Sequence, residues 1–365
     1  MRAERFRSLP SADGPFASVY YDDSHDTQDA NAQLELRWRS IREHVESEGA
    51  GAIADVLEPV VLHGRPPVGR SGRGIIAGER GVLLDEQLIR PPAATIVRVS
   101  PLPYLLPVVE HGGERHSYIV AAVDHAGADL TIHPDGHPAK ETVDAGGYPV
   151  HHAGSAETQA YGDPQRAVEA ARGKNIRAVT ERLTHLVDET RADVVFVVGE
   201  VRSRTDLLAD LPARVRDRVV ELQVGARHSG FDDRDLQEAI EAEFQMRRVA
   251  SIDDAAQRFH AAHGGGLAAE GLDAVCAALR DGAVDTLIVG ELGDATVVAG
   301  DDPLTIAPNA NVLSELGAAP TRTLRADEAL PLAAVAVDAD VVRTDQRLEP
   351  ADGVAAVLRY ARSHH

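Results

Sequence analysis

Apolar positions along the chain switch between short unbroken runs and stripes spaced three or four apart. Phe16-Ala17-Ser18-Val19-Tyr20-Tyr21 is a run that reads as a strand, and it stops at the acidic turn Asp22-Asp23-Ser24-His25-Asp26. Leu34, Trp38, Ile41 and Val45 then fall on one stripe of a helix. Ile53, Val56, Leu57, Val60 and Val61 predict a second helix, weakened by Pro59. Short strands are expected at 74–77, 82–88 and 95–99, after which Pro101, Pro103 and Pro107 break the regularity. His111-Gly112-Gly113-Glu114 reads as a linker, closing a first region at residues 1–114.

A second region, 115–224, opens on the buried-looking strand 118–124. His125-Ala126-Gly127 turns the chain back into 128–133, a hairpin pattern. A Gly- and His-rich loop fills about 145–164. A helix follows at 165–190, with Val168, Ala171, Ile176, Val179, Leu183 and Leu186 near one face. Val194-Val195-Phe196-Val197-Val198 is apolar throughout, as in strands covered on both faces. Helix followed by apolar strand predicts a Rossmann-like layered unit.

The third region, 225–365, is expected to begin with one helix carrying Leu236, Ile240 and Phe244 and another at about 251–263. Leu272, Val275, Cys276 and Leu279 mark a further helix, 285–289 a strand, 332–337 another strand, and 354–361 a closing helix. The expected class is α/β in three domains, with a Rossmann-like central domain and an α/β C-terminal domain.

Composition narrows the function. The net charge of −21 argues against a nucleic-acid binder unless basic residues are locally clustered. The single cysteine, Cys276, excludes an internal disulfide and fits a reducing compartment. The first residues lack a signal peptide's apolar run, and no apolar stretch reaches the ~18–20 residues of a membrane span. A cytoplasmic protein with no membrane partner is expected.

Few motifs survive scrutiny. Gly264-Gly265-Gly266 lacks the lysine of a phosphate loop and reads as a helix stop. His151 and His152 are adjacent, but with only His133 and His137 nearby in sequence and no cysteine pair they do not make up a zinc set; no metal or cofactor is expected. No G-x-S-x-G elbow is present, and Cys276 sits on an apolar stripe as a packed thiol. The segment His63-Gly64-Arg65-Pro66-Pro67-Val68-Gly69-Arg70-Ser71-Gly72-Arg73 carries three arginines and no acid. It fits either an RNA-phosphate contact or a solvated loop. Arg172, Lys174 and Arg177 form a second basic cluster, Arg202 and Arg204 a third.

The segment 271–289, GLDAVCAALRDGAVDTLIV, resembles the C-terminal domain of the archaeal–eukaryotic peptide-chain release factors and Pelota. The strand pair at 118–133, the helix 165–190, the strand 194–199 and Ser229-Gly230-Phe231 resemble that family's central domain and its junction. Residues 1–114 match only by position, as a decoding-type domain. Within the family the chain looks most like the bacterial branch, including mycobacterial, Balon-like ribosome hibernation factors.

One departure bears on activity. Release factors of this family carry Gly-Gly-Gln in the central loop, and the corresponding segment here is Gly146-Gly147-Tyr148. The resemblance therefore implies a factor that occupies the A site of the 70S ribosome beside elongation factor Tu, without hydrolysing peptidyl-tRNA and without binding DNA. It implies rRNA contacts by Arg65, Arg70 and Arg73 towards the decoding centre. It implies further contacts by Tyr148, His151, His152, Arg172 and Lys174 around the loop 146–164. Two alternatives stay open: a peptidyl-tRNA hydrolase using His151 or His152 as base, and Pelota-like ribosome rescue.

Overall fold

The structure is a computed structural model that describes residues 6–25, 29–64, 71–88, 90–112, 117–133, 139–144, 164–224 and 233–361. The expected mixed α/β, multi-domain fold is what it contains, in two compact units: residues 1–114 with 245–365, and residues 115–244.

In the first unit, β1 (Phe16–Asp22), β2 (Gly72–Gly78), β3 (Gly81–Leu88) and β4 (Ile96–Ser100) form an antiparallel sheet in the order β3-β2-β1-β4. Successive side chains on a strand point to opposite faces. Ala17, Val19 and Tyr21 meet Ile75 and Ala77 under α1 (Ala30–Ser47) and α2 (Gly51–His63). Leu34, Trp38, Ile41 and Val45 of α1 are buried there, as their spacing requires. Phe16, Tyr20 and Ile76 face the other way. β1 is thus covered on both faces, which is why its sequence does not alternate. The expected linker at 111–114 is preceded by a short helix, α3 (Leu106–His111), with Pro107 in its first turn, where its missing N–H costs nothing.

The second unit is a five-stranded sheet. β5 (Tyr118–Val123), β6 (Gly127–His133) and β7 (Ala139–Asp144) are antiparallel neighbours; α4 (Pro164–Thr190) crosses to β8 (Val194–Gly199), parallel to β5. α5 (Val201–Asp210), α6 (Ala213–Arg216) and β9 (Val219–Glu221), parallel to β8, complete the order β7-β6-β5-β8-β9. Ile176, Val179, Leu183 and Leu186 of α4 pack on Ile119, Ala121, Val195 and Val197.

Residues 233–263 form one helix, α7 (Asp233–His263), not the two expected. No glycine or proline interrupts the segment, so its polar stretch around 245–250 is no break. The second unit ends at 244 rather than 224 because the start of α7 packs in it. The Phe244 ring lies 5.4 Å from Tyr118 and 5.5 Å from Phe196, centroid to centroid. α7 ends at the three glycines: Gly266 has φ +69°, and the Leu267 amide donates to the Ala262 carbonyl at 3.0 Å.

The rest of the first unit follows. β10 (Ala268–Glu270), α8 (Gly271–Arg280), β11 (Val284–Val289), β12 (Thr296–Ala299), β13 (Ile306–Ala307), α9 (Ala310–Glu315), β14 (Arg322–Arg325), α10 (Ala326–Ala336), β15 (Asp340–Arg343) and β16 (Val354–Leu358) make two sheets, β10-β16-β11-β15 and β13-β12-β14. The expected strand at 332–337 is the end of α10. Residues 326–335 are all buried, so no polar face shows a helical period. The expected closing helix is β16, an apolar run held between β10 and β11; a run this short cannot be assigned by periodicity alone. Leu287, Val289, Val354 and Ala356 face the core shared with Phe16 and Tyr20, while Ile288 and Ala355 meet Ile252 and Phe259 of α7. Cys276 is buried in the shared core, and burial pushes its thiol up to about 12.

The terminal regions, expected as separate modules, therefore share one core, and an ionic clamp closes it. Arg98 on β4 lies 3.0 Å from Asp327 and 3.1 Å from Glu328 at the start of α10. Its guanidinium stacks 3.5 Å over the Tyr104 ring, and the Ser100 hydroxyl donates to Glu328. Burial pushes the Glu328 carboxyl up, against Ser100 and Arg98. Arg98→Ala strands a carboxylate that is 1% exposed. It is expected to cost about 3–5 kcal/mol in urea unfolding of the full chain, with part of the loss recovered when Glu328→Gln is added.

Candidate functional site at the carboxyl edge of the central sheet

Val123 at the end of β5 lies opposite Gly199 at the end of β8. From β5 the chain turns to β6 on one side; from β8 it goes on to β9 on the other. Open sheets place ligand sites outside the strand ends at this reversal. Gly127 opposite Asp144 brings the end of β7 to the same edge.

Two close approaches build this edge. Gly199 has φ +119°, and a Cβ there would sit 2.0 Å from the Val123 carbonyl oxygen, so only glycine lets the strands leave together. Asp124 Oδ1 accepts from the Ala126 and Gly127 amides at 2.7 and 2.9 Å, fixing the turn that carries His125. Asn175 of α4, 1% exposed, donates to the His125 carbonyl at 3.2 Å. Residues 164–174 come before that point, so roughly 15 Å of α4 stands past the sheet edge at ~1.5 Å per residue.

Polar groups from three elements meet here. His125 Nδ1 is 3.3 Å from Glu200 Oε1, and the Ser203 hydroxyl is 3.4 Å from Glu200 Oε2. Arg172 donates to Ser203 Oγ at 3.1 Å and reaches Asp206 at 3.1 Å, binding α4 to α5. Arg204, 6% exposed, donates to the Leu222 carbonyl at 3.0 Å beyond β9. At the opposite edge His133 stacks on Tyr118 at 4.2 Å; burial, with Lys140 nearby, pushes its imidazole down to about 4, so it is neutral at pH 7.

The expected RNA-facing residues fall into three groups. Arg65, Arg70, Tyr148, His151 and His152 lie outside the described residues. Arg73 and Arg172 are tied to acidic partners: Arg73 gives Nε and Nη2 to Asp85, both at 2.8 Å, and Arg172 holds Asp206. Burial is the largest influence and works against the Arg73 charge, but the Asp85 hydrogen bonds together with the nearby Tyr21, Asp85 and Asp23 outweigh it and hold the group protonated. Lys174 is exposed, as are Arg177 and Arg202, and among the described residues none of the three forms an ion pair. Sequence reasoning missed Asp124, Asn175, Glu200 and Ser203. The available signal was a polar pair, Asp124-His125 and Gly199-Glu200, directly after each of two apolar strands.

Beside Arg73, at the end of β1, Asp23 is 3% exposed, and its amide donates to the Ser71 carbonyl at 2.9 Å. Burial pushes its carboxyl up to about 6, against the pull of Arg73, His25 and Arg37. Among the described residues no group of three or more His, Cys, Asp or Glu is placed to hold a metal ion, and no helix is long and apolar enough to cross a membrane.

A Rossmann-like unit with a built carboxyl edge, carried in a multi-domain α/β chain, defines the class. The model of the bacterial archaeo-eukaryotic release factor family 2 matches residues 117–265, which take in that unit and all of α7. The chain is 52% identical over 364 residues to an uncharacterized protein of Mycobacterium tuberculosis, covering 99% of this chain and 97% of that one. Among solved structures, an archaeal translation termination factor is similar at 16% identity over 99% of each chain, TM-score 0.26. A ribosome-bound archaeal Pelota is similar at 13% identity over 99% of this chain and 95% of that one, TM-score 0.43. The chain belongs to the bacterial archaeo-eukaryotic release factor family.

Gly199→Ala is expected to destabilise the chain by at least about 2 kcal/mol, because the new Cβ meets a carbonyl at an unfavourable φ. Chemical denaturation of the full chain measures it.

Proposed function

We propose that this protein is a ribosome-binding hibernation or stress factor of the cytoplasm. It occupies the A site of the 70S ribosome, touches rRNA of both subunits, works beside elongation factor Tu and blocks tRNA entry by occupancy. It does not hydrolyse peptidyl-tRNA. Membership of the release-factor family supports the ribosomal role. The observation that carries the absence of hydrolysis is the segment between β7 and α4. It has Gly146-Gly147-Tyr148 in place of Gly-Gly-Gln, so the water-directing amide is missing.

In this reading Tyr148, His151 and His152 meet RNA of the large subunit by stacking and hydrogen bonding. Arg65 and Arg70 meet phosphate towards the decoding centre, and Lys174 on the overhanging part of α4 adds a backbone contact. Arg73 and Arg172 act chiefly by holding their own elements in place.

Cosedimentation with 70S ribosomes tests the proposal. Binding is expected at low salt and is weakened by added salt. The Lys174→Ala, Arg177→Ala double variant is expected to bind roughly three- to tenfold less tightly with a shallower salt dependence. Failure to bind at low salt with elongation factor Tu present overturns the ribosomal role. Peptide release from ribosomes holding peptidyl-tRNA, lost on His151→Ala with His152→Ala, would assign a hydrolase instead. Separation of the ribosome into subunits would assign rescue.

A further inference from the structure

The amino end of β8 and β9 carries arginines that the proposed ribosomal role does not use. Arg191 follows the last residue of α4 and leads into β8; Arg214 and Arg216 lie on α6, and Arg218 precedes β9. All four are exposed. Two hydrogen bonds bring these segments together. Arg214 gives Nη2 to Asp188 of α4 at 2.9 Å, and Arg218 Nη1 donates to the Ala192 carbonyl at 2.6 Å. The Val195 amide donates to the Arg218 carbonyl at 2.9 Å, which pins Arg218 beside the start of β8. Arg191 is next to Ala192 in the chain, and Arg216 is two residues from Arg218, at most about 7 Å along it. The four guanidiniums therefore issue from one small area.

Two of the four have local work. Arg214 neutralises Asp188; its hydrogen bonds, with Arg218 and His185 near, hold that carboxyl below its ordinary value. Arg218 meets a backbone carbonyl just past the negative end of α4, not a carboxylate. Arg191 and Arg216 are free of such duties: among the described residues neither forms an ion pair or a side-chain hydrogen bond. Of the acids in 188–193 and 213–218, Glu189 is taken by His185 at 2.9 Å and Arg182 at 3.6 Å. That leaves four guanidiniums against the carboxylates of Asp188, Asp193 and Asp217, in a chain of net charge −21.

Backbone geometry singles out Arg191. Its φ of +53° is left-handed, the conformation that helix ends usually give to glycine. A side chain there is carried at a cost in backbone energy. Among the described residues this one has no ion pair or hydrogen bond in the fold to offset that cost.

We propose that the amino edge of the central sheet is a binding surface for the phosphate backbone of double-stranded RNA, held chiefly by Arg191 and Arg216 with Arg218 beside them. Arginine forks match phosphate oxygens, and contacts to the backbone need no particular sequence. Residues 188–193 and 213–218 include no aromatic ring to stack on a base, which favours a paired helix over a single strand. The surface lies at the edge opposite Asp144 and the first turns of α4. As a ribosomal contact it rests on the proposed function; as an RNA surface it does not.

Fluorescence anisotropy of a short fluorescein-labelled RNA duplex with the full chain tests it and keeps the two apart. The native chain is expected to bind at low salt. Arg191→Gly with Arg216→Ala is expected to bind roughly three- to tenfold less tightly, with a salt dependence shallower by about one to two phosphates. Its melting temperature is expected not to fall, because glycine accepts φ +53° and neither arginine holds a neighbour. Arg216→Glu, a single surface change, is expected to weaken binding more than Arg216→Ala does. No duplex binding by the native chain, an unchanged affinity and salt slope in the double variant, or equal effects of Arg216→Glu and Arg216→Ala overturns the inference. So does a loss of affinity confined to variants whose melting temperature falls. Normal duplex binding by a double variant that no longer cosediments with ribosomes turns the surface towards an acidic protein, and overturns the RNA reading. Duplex binding that follows Arg191 and Arg216, in a chain that stays off ribosomes, supports the inference and sinks only the ribosomal role.

Discussion

A guanidinium placed between two nearly inaccessible carboxylates fastens the two ends of this chain to each other. Arg98, Asp327 and Glu328 come from β4 and the first turn of α10, more than two hundred residues apart in sequence. Removing such charges from water costs several kcal/mol per ion, and their mutual attraction roughly offsets that cost only when the geometry is good. The cluster therefore selects one docking register more than it adds net stability. The shared core follows from that register. With Arg98 of β4 held at the start of α10, the Phe16, Tyr20 and Ile76 side of the N-terminal sheet joins Leu106 and Val108 of α3 and Leu287, Leu330 and Ala356 in one core.

The central unit is organised around a different constraint. At the carboxyl end of β8 the backbone takes φ +119° hard against the Val123 carbonyl, which leaves no room for a side chain, and Gly199 fills the position. Around that point Asn175, Ser203 and Arg204 are buried and hydrogen-bonded, and Arg172 is spent joining two helices. These contacts hold the root of α4 firmly while its first turns stand clear of the sheet. Lys174, Arg177 and Arg202 stay exposed near the root and, among the described residues, form no ion pair in a strongly acidic chain.

Much of the fold was legible. Amphipathic elements announced themselves by period: Leu34, Trp38, Ile41 and Val45 fall on the buried stripe of α1, and Ile176, Val179, Leu183 and Leu186 on that of α4. The wholly apolar segments did not. Residues 332–337 and 354–358 are apolar on every side, so helix and strand were exchanged between them. Nor could the shared core be read, because the pairing of Arg98 with Asp327 and Glu328 has no local signature. Of the candidate site, the basic clusters were visible as composition. Which of those arginines are already neutralised depends on partners such as Asp85 and Asp206, which only the folded chain brings near.

The two-faced burial of β1 sets an order on synthesis. A ribosome making this protein releases residues 6–112 long before 268–358 exist. Until then one side of the first sheet, with Phe16, Tyr20, Ile76, Leu84 and Leu88, has only Phe6, Leu9 and the Leu102–Val108 segment to cover it, without the C-terminal part of the shared core. The nascent chain must carry that sticky surface through the production of the entire central unit, a long interval in which chaperones or aggregation compete for it. Messages cut short near their 3′ end would therefore yield a product unable to finish its beginning.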